Sequence, residues 1–202
     1  MFITFEGGEG TGKSTQIKLL HERLITQGRD VVMTREPGGT PQGEIVRSML
    51  VAGQTDLWSS EAEALLNYAA RDAHLNAVIR PALAQLKIIL SDRFMDSTRA
   101  YQGYAGTCSL AFIDQLEKSI VKDTVPDLTF IFILDPSTGL ARAAKRGGEA
   151  ETRFERKGLV FHENVAKGFQ DILLKNARRC RAIDANQSID DVAEQVWAHV
   201  IR

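Results

Sequence analysis

Residues 7 to 14 carry the side chains whose types and spacing most clearly predict chemistry. The segment reads Gly7-Gly8-Glu9-Gly10-Thr11-Gly12-Lys13-Ser14, which fits G-x-x-x-x-G-K-[ST], and it separates a strand-like run from an amphipathic run that starts at Thr15. Glycines let the backbone N–H groups point inward at a helix N-terminus, where anions are favoured. Residues 7 to 15 are therefore predicted to hold the phosphates of a nucleoside triphosphate, with Lys13 at the β- and γ-phosphates and Ser14 as a ligand of Mg²⁺. A tight turn that binds nothing would explain the glycines but not the Gly-Lys-Ser ending.

Two further polar positions follow strand-like runs. Asp92 ends the apolar run from Lys87, the position from which an Asp beside a phosphate loop holds Mg²⁺. Arg93 follows directly, and a simple ion pair between the two is the alternative. Arg35 follows Val31-Val32-Met33, which predicts a short buried strand, so it lies either at the ligand-binding edge of a sheet or in a surface turn.

The elements that must position these residues alternate along the chain. Strand-like runs at 2–5, 31–33, 87–92, 130–134 and 181–184 are separated by segments of helical spacing. This pattern predicts a three-layer α/β sandwich with a mostly parallel five-stranded sheet, of the P-loop NTPase type. We expect one domain over residues 1–202. Its charged segment at about 142–156 contains Gly147-Gly148, and it is interpreted as a lid over polyphosphate rather than a solvated face.

Composition narrows the function classes. The 202 residues are 44% hydrophobic and 25% charged, with a net charge of −1, as in an ordinary globular protein with no basic excess for nucleic acid. No signal peptide and no apolar run of about 18 residues occurs, so a cytoplasmic protein without a membrane partner is expected. Cys108 and Cys180 are predicted to be free thiols because no paired spacing surrounds them.

The phosphate loop alone predicts only nucleotide binding, so three classes compete. A switch GTPase needs an Asn-Lys-x-Asp segment, which is absent, and an assembly-forming ATPase or motor is usually larger. A small-molecule kinase needs two pockets and a lid. The arginines at 35, 71, 93 and within 142–156 supply charge for more phosphates than one nucleotide carries, which favours the kinase.

Several motifs together resemble the bacterial thymidylate kinases. They are Phe5-Glu6-Gly7 with the phosphate loop, Arg35-Glu36-Pro37-Gly38-Gly39-Thr40, Ala70-Arg71, Asp92-Arg93-Phe94, Ser97 to Gly103 and Arg153-Phe154-Glu155. They cover nearly the whole chain in the order of that family. The resemblance implies transfer of the γ-phosphoryl of MgATP to dTMP, giving dTDP and ADP for dTTP synthesis, by a homodimer. The alternatives are a monophosphate kinase with another acceptor base and a nucleotide-binding regulator without turnover.

The resemblance also implies roles for individual residues. Glu9 matches an acidic residue near the deoxyribose 3′-hydroxyl and the metal, and Arg35 and Arg93 match arginines on the acceptor phosphate. The base and sugar positions are Arg71 at thymine O4, Thr98 at N3 and Tyr101 against a 2′-hydroxyl. The remaining substrate-binding positions are Pro37, Ser97 and Gln102.

The catalytic set implied by the resemblance combines Lys13, Glu9 and Arg93 with an arginine of the lid. The phosphate loop has no arginine at its variable positions, as in the bacterial type of the family, so Arg146 or Arg153 is expected to neutralise charge on the transferring phosphoryl. Asn67 departs from the pattern, because it occupies the position of a phenylalanine that stacks on thymine.

Overall fold

The computed structural model describes residues 1–146 and 153–200, with only the backbone of Arg146. Its described part contains one five-stranded sheet in which every neighbouring pair is parallel, in the order β2-β3-β1-β4-β5. The strands are β1 Phe2–Gly7, β2 Val31–Arg35, β3 Ile88–Asp92, β4 Leu128–Ile133 and β5 Cys180–Asp184. The predicted α/β sandwich and parallel sheet are confirmed.

Helices cover both faces of this sheet. They are α1 Lys13–Thr26, α2 Pro41–Val51, α3 Ser60–His74, α4 Arg80–Ala84, α5 Met95–Thr98, α6 Leu110–Leu116, α7 Pro136–Arg146, α8 Leu159–Lys175 and α9 Ile189–Val200. Three π-helical turns, Leu75–Ile79, Arg99–Tyr104 and Glu117–Val121, continue α3, α5 and α6, and Glu155–Lys157 is a 3₁₀ turn. Side-chain caps begin three helices where the sequence places hydroxyls: Thr40 accepts from Gly43 N, Ser59 from Ala62 N and Ser188 from Asp191 N.

The side chains of β1 alternate between two hydrophobic clusters, one on each face of the sheet. Ile3 and Phe5 pack with α1 and α9 on one face of the sheet, whereas Phe2 packs with α3, Phe94 and α6 on the other. Side chains on a strand alternate between faces, so Glu6 points to the same face as Phe2. A buried glutamate is thereby placed beneath the segment that starts at Phe94.

One sequence prediction about the sheet is wrong. The run Val31-Val32-Met33 does form a strand, but β2 is the edge of the sheet, and Met33 is 46% exposed. An edge strand has a neighbour on one side only, so it is less covered than the inner strands. The order of strands in a sheet depends on pairing between residues that are distant in sequence. The local apolar run therefore does not show that β2 lies at the edge.

The carboxyl ends of β1, β2 and β3 meet along one rim. Phe5 and Arg35 both pair with Asp92 in the register of the sheet, so the phosphate loop, Arg35 and Asp92 leave neighbouring strand ends. Ligands of open α/β sheets bind along such a rim. No helix of the described residues has the length and apolar character needed to cross a membrane.

Candidate active site

A cleft of about 640 Å³ opens along this rim. Its walls come from the phosphate loop, the ends of β2 and β3, α2, α3, the helical segment 95–104 and residues on either side of 147–152. The residues are Glu9 to Thr15, Arg35, Glu36, Pro37, Arg47, Leu50, Val51, Asn67, Arg71, Asp92, Arg93, Phe94, Ser97, Thr98, Tyr101, Gln102, Ala143, Ala144, Phe154 and Glu155. The predicted phosphate and acceptor residues therefore line one cavity.

At the phosphate-loop end, two predicted metal ligands meet. Ser14 Oγ donates a hydrogen bond of 2.7 Å to Asp92 Oδ2. The two oxygens come from the first turn of α1 and the end of β3, which pairs with β1. Hard oxygen ligands next to a phosphate loop suit Mg²⁺, which completes its shell with waters and phosphate oxygens. Accordingly, the described residues contain no cluster of three or more His, Cys, Asp or Glu side chains that could hold a metal by themselves.

Lys13 lies across the loop that it follows. Its Nζ donates to Gly8 O at 2.7 Å, Gly7 O at 3.1 Å and Thr11 Oγ1 at 3.2 Å. Burial of the ammonium group and the nearby Arg93 cation lower the pKa of Lys13 to about 8. The charge is thus held within the loop, and its protonation is sensitive to other charges nearby.

Arg93 connects the phosphate loop with the acceptor side of the cleft. Its Nη1 donates to Gly7 O at 2.8 Å and to Ser97 Oγ at 3.1 Å, and its Nη2 donates to Glu9 Oε1 at 3.0 Å. Tyr101 donates its hydroxyl proton to the same Glu9 oxygen at 2.8 Å. Burial alone would raise the pKa of Glu9, but Arg93, Lys13 and the Tyr101 hydroxyl outweigh it and lower the pKa to about 2. Glu9 is therefore held as an anion at the junction of the two sides.

Beneath Arg93, the buried carboxyl of Glu6 organises the start of the next segment. Its Oε1 accepts from Phe94 N at 2.8 Å, and its Oε2 accepts from Ser97 Oγ at 2.5 Å. Arg93 itself has a φ of 68°, a conformation that is uncommon for a residue with a side chain. Two bonds to Glu6 on the C-terminal side of Arg93 hold the chain in that conformation, so Glu6 helps to aim the guanidinium at the phosphate loop.

At the end of the cleft away from the phosphate loop, Glu36 orients Arg71. Glu36 Oε2 accepts from Arg71 Nε at 2.7 Å, and its Oε1 is 2.9 Å from Nδ1 of the buried His74. The other ring nitrogen of His74 lies 2.7 Å from Thr34 Oγ1. Arg71 Nη2 donates to Thr98 Oγ1 at 3.1 Å, while the buried Nη1 has no partner among the described residues. A buried guanidinium N–H without a partner, in a wall of the cleft, is a donor available to a ligand carbonyl.

The other predicted acceptor residues also reach the cleft. Arg35 lines it while donating to Glu44 Oε2 at 3.0 Å, and Pro37 follows a cis peptide bond. Gln102 lines it and donates to Glu63 Oε2 at 2.8 Å. Asn67 also faces the cleft, but its Nδ2 is bonded to Glu63 O of its own helix at 2.8 Å.

The structure corrects the prediction of a catalytic Arg153. This side chain is fully buried, and Nε, Nη1 and Nη2 donate to the carbonyls of Gln54, Leu50 and Thr55 respectively. Nη2 also donates to Glu63 at 2.6 Å. With all three nitrogens engaged away from the phosphate loop, Arg153 fastens its own segment to the chain around α2 and α3. The other predicted lid arginine, the side chain of Arg146, and the predicted hinge at 147–148 lie outside the described residues.

Three residues with site contacts had no role in the sequence prediction: Glu6, Glu36 and Glu63. Glu6 and Glu36 stand inside the motifs quoted above, and Glu6 is the one charged residue of β1. For Glu63, the signal is its spacing, because Glu63, Asn67 and Arg71 recur every four residues and so share one face of α3. A carboxylate on the same helix face as an arginine of the cleft is a candidate for a buried ion pair.

Comparison with known proteins agrees with this geometry. The thymidylate kinase family model matches residues 5–196. Thymidylate kinase from Caulobacter vibrioides is 50% identical over 201 residues, covering 100% of this chain and 96% of the relative. That from Afipia carboxidovorans is 50% identical over 197 residues, covering 97% of this chain and 86% of the relative. The crystal structure of thymidylate kinase from Ehrlichia chaffeensis superposes with a TM-score of 0.80 at 38% identity, covering 100% of this chain and 98% of that one. Because the match runs through the phosphate loop, the Asp92–Arg93 strand end and the acceptor wall alike, the chain belongs to the thymidylate kinase family.

Proposed function

We propose that the cleft binds ATP at the phosphate loop and dTMP against Arg71, and that the two phosphate groups meet beside Arg93. Membership of the family makes the protein a kinase that phosphorylates dTMP to dTDP with ATP as donor. The observation that carries the site assignment is the shared cavity. It has a phosphate loop with a Ser14–Asp92 pair at one end and a buried, unpartnered guanidinium N–H of Arg71 at the other.

On the donor side, the loop amides and Lys13 would hold the triphosphate, and Ser14 and Asp92 would hold Mg²⁺. When bound, Mg²⁺ supplies charge neutralisation and orientation of the β- and γ-phosphate oxygens. Lys13 Nζ is already aimed across the loop by Gly7 O and Gly8 O. A phosphate group entering the loop offers this ammonium group a stronger, charged acceptor than those carbonyls.

On the acceptor side, Arg71 Nη1 would donate to thymine O4, with Thr98 beside N3. Arg35, Pro37 and Ser97 line the wall for the 5′-phosphate with Arg93, and Glu9 and Tyr101 stand at the sugar. The Tyr101 ring is fixed by edge contacts to Phe154, Phe161 and Phe169, with centroids 5.7 to 6.3 Å away. A ring packed in this way cannot turn aside for a 2′-hydroxyl, so it favours deoxyribose.

The reaction itself needs little chemistry from the protein. The attacking oxygen belongs to a phosphate monoester whose second pKa is about 6, so it is already largely deprotonated near neutral pH and needs no strong general base. Its attack forms the new P–O bond as the bond from the γ-phosphorus to the β-bridging oxygen breaks, giving dTDP and ADP. Lys13 and Arg93 stabilise charge on the phosphoryl oxygens, and the cleft keeps the two phosphates in line. Arg146 remains the proposed arginine of the 142–156 segment.

An ADP-release assay against a panel of nucleoside monophosphates tests this assignment. We expect dTMP to be the preferred acceptor and Lys13→Ala to lower kcat/KM at least about 100-fold, the scale of losing one preorganised charge donor. Lys18→Ala, on the exposed face of the same helix, is the matched control. Near-normal turnover of Lys13→Ala would remove the phosphate-loop assignment. Preference for another base would favour a related monophosphate kinase, and ADP release that no monophosphate stimulates would favour a nucleotide-binding regulator.

We further propose a homodimer, as the resemblance implies. The mutually packed helices α2 and α3 leave apolar side chains at the surface, among them Ile45 at 64% and Leu65 at 51% exposure. Burying such residues between two copies is favourable. Light scattering after gel filtration should give twice the chain mass, and a monomeric mass at micromolar concentration would contradict the dimer.

A further inference from the structure

We propose that Glu63 is a positioning residue for base recognition: it fixes the carboxamide of Gln102 so that only the carbonyl oxygen faces the cleft. This inference rests on the acceptor pocket proposed above and assigns a task to a residue outside that pocket. Its consequence is discrimination between pyrimidines with a keto group at C4 and those with an amino group there.

Glu63 is anchored from two sides. Its side chain is 2% exposed, and its Oε1 accepts from Arg153 Nη2 at 2.6 Å and from Lys157 Nζ at 3.1 Å. Both partners are cations, and the carboxylate between them can only accept hydrogen bonds. The remaining oxygen, Oε2, takes a bond of 2.8 Å from Gln102 Nε2.

This bond settles which end of the Gln102 amide faces which neighbour. A carboxamide has one accepting and one donating end, and a carboxylate can satisfy only the NH₂ end. Gln102 Oε1 is therefore turned away from Glu63, and no described residue donates to it. Because Gln102 lines the cleft and is only 2% exposed as a residue, we place this oxygen at the wall of the acceptor pocket as an acceptor for a ligand.

Two neighbouring groups complete the pattern. Arg71 Nη1 is a buried donor without a partner, and a guanidinium nitrogen can never accept. Thr98 lies between them, four residues before Gln102 and bonded to Arg71 Nη2 at 3.1 Å. A hydroxyl rotates and can donate or accept, so Thr98 cannot tell one base edge from another. The discriminating pair is the fixed donor of Arg71 and the fixed acceptor of Gln102.

That pair matches one type of pyrimidine edge. Thymine presents an acceptor at O4 next to the N3–H donor, whereas cytosine presents an amino donor at C4 next to the N3 acceptor. Thymine therefore complements both the donor Arg71 Nη1 and the acceptor Gln102 Oε1. Cytosine would place a donor against Arg71 Nη1 and an acceptor against Gln102 Oε1. If the Gln102 amide could turn, its NH₂ group would serve cytosine N3. The carboxylate of Glu63 prevents that rotation.

The test compares kcat/KM for dTMP and dCMP. In Glu63→Gln the new side chain can donate as well as accept, so the Gln102 amide is free to rotate. We expect the dTMP-to-dCMP ratio to fall about tenfold, the scale of one hydrogen bond. Gln102→Met, which keeps the length of the side chain but removes the acceptor, should lower the ratio similarly. In the double variant no further fall is expected, because Glu63 acts through Gln102. Glu61→Gln, on an exposed position of the same helix, is the control.

A purely structural role would lower turnover of both nucleotides equally and leave the ratio unchanged, which would overturn the inference. Additive losses in the double variant would overturn it as well. If Glu63→Gln does not fold because Arg153 loses its anion, Glu63→Asp keeps the charge while withdrawing the oxygen from Gln102. An unchanged ratio in that variant would count equally against the inference. Failure of the unaltered protein to phosphorylate dTMP would instead contradict the proposed function, so the two failures are distinct.

Discussion

The buried carboxyl of Glu6 gives the protein a predictable dependence of stability on pH. It lies at the end of β1 with no exposed surface, and burial, followed by the charge of Asp96, raises its pKa from 4.5 to about 8. Bonds from Ser97 and Phe94 and the cation of Arg93 oppose this but do not outweigh it. Near neutral pH, Glu6 is therefore protonated in the folded protein and ionised in the unfolded chain.

The sign and size of the effect follow from linkage. Between pH 4.5 and about 8 the folded state holds a proton that the unfolded state has released, so the free energy of unfolding falls as the pH rises. The slope from this one group is about 1.4 kcal/mol per pH unit, which sums to about 5 kcal/mol across the whole window. The stabilisation is fully present below the unfolded pKa and is lost as the pH passes through the folded pKa.

Urea unfolding of the unaltered protein and of Glu6→Gln at pH 5, 6, 7 and 8 measures this slope. A glutamine resembles the protonated acid: its oxygen can accept from Phe94 N, and its NH₂ group, like the O–H of the acid, can donate to Ser97 Oγ, which reverses the bond that Oε2 accepts from Ser97 in the structure. The Glu6→Gln curve should therefore lack the fall of about 1.4 kcal/mol per pH unit, and the variant should be the more stable of the two at pH 8. Glu22→Gln, exposed on α1, controls for the loss of a surface carboxylate. Parallel curves for Glu6→Gln and the unaltered protein would refute the reasoning.

Three further predictions concern the cleft. Near pH 8, where about half of the free Lys13 has lost its proton, ATP binding should take up a proton, which calorimetry in buffers of different ionisation enthalpy measures. A Lys13→Met variant that still takes up this proton would contradict the prediction. Asp92→Asn should raise the Mg²⁺ concentration for half-maximal rate by about tenfold or more while the KM for dTMP changes little, and an unchanged Mg²⁺ requirement would exclude Asp92 as a ligand. Tyr101→Ala should raise the activity on UMP relative to dUMP, because space opens at C2′, and a constant ratio would argue against that role.

Much of the fold could be predicted because its signals are local. The phosphate loop is a contiguous motif, and α2, Pro41–Val51, begins where the sequence itself has a threonine followed by a proline. Proline suits the first turn of a helix, and a hydroxyl before it caps the free N–H groups. The parallel sheet follows from the alternation of strands and helices, because parallel strands need crossover connections. These features require no knowledge of which residues meet across the fold.

The wrong predictions concern features that depend on contacts between residues distant in the sequence. The exposure of Met33 depends on β2 being at the edge of the sheet, which the strand itself does not encode. The basic run around Arg153 was interpreted as charge for phosphates. Its guanidinium is instead taken up by Glu63, 90 positions earlier in the chain, and by carbonyls after α2. A sequence shows that an arginine carries charge but does not show which acceptor captures it.

The pairing of Arg71 with Glu36 explains why the base side of the cleft needs a carboxylate at all. A guanidinium as deeply buried as that of Arg71, which is 1% exposed, is costly unless an anion compensates it, and Glu36, itself 5% exposed, is that anion. The way in which Glu36 contacts the guanidinium also determines which nitrogen of Arg71 remains for a ligand. Glu36 accepts from Nε and Thr98 accepts from Nη2, so Nη1 alone remains as a donor for a ligand. The anion that makes burial of Arg71 tolerable therefore also selects the atom that Arg71 offers to a ligand in the proposed pocket. A lysine ammonium lacks the planar fork of the guanidinium, so it would not hold its remaining donors in a fixed direction.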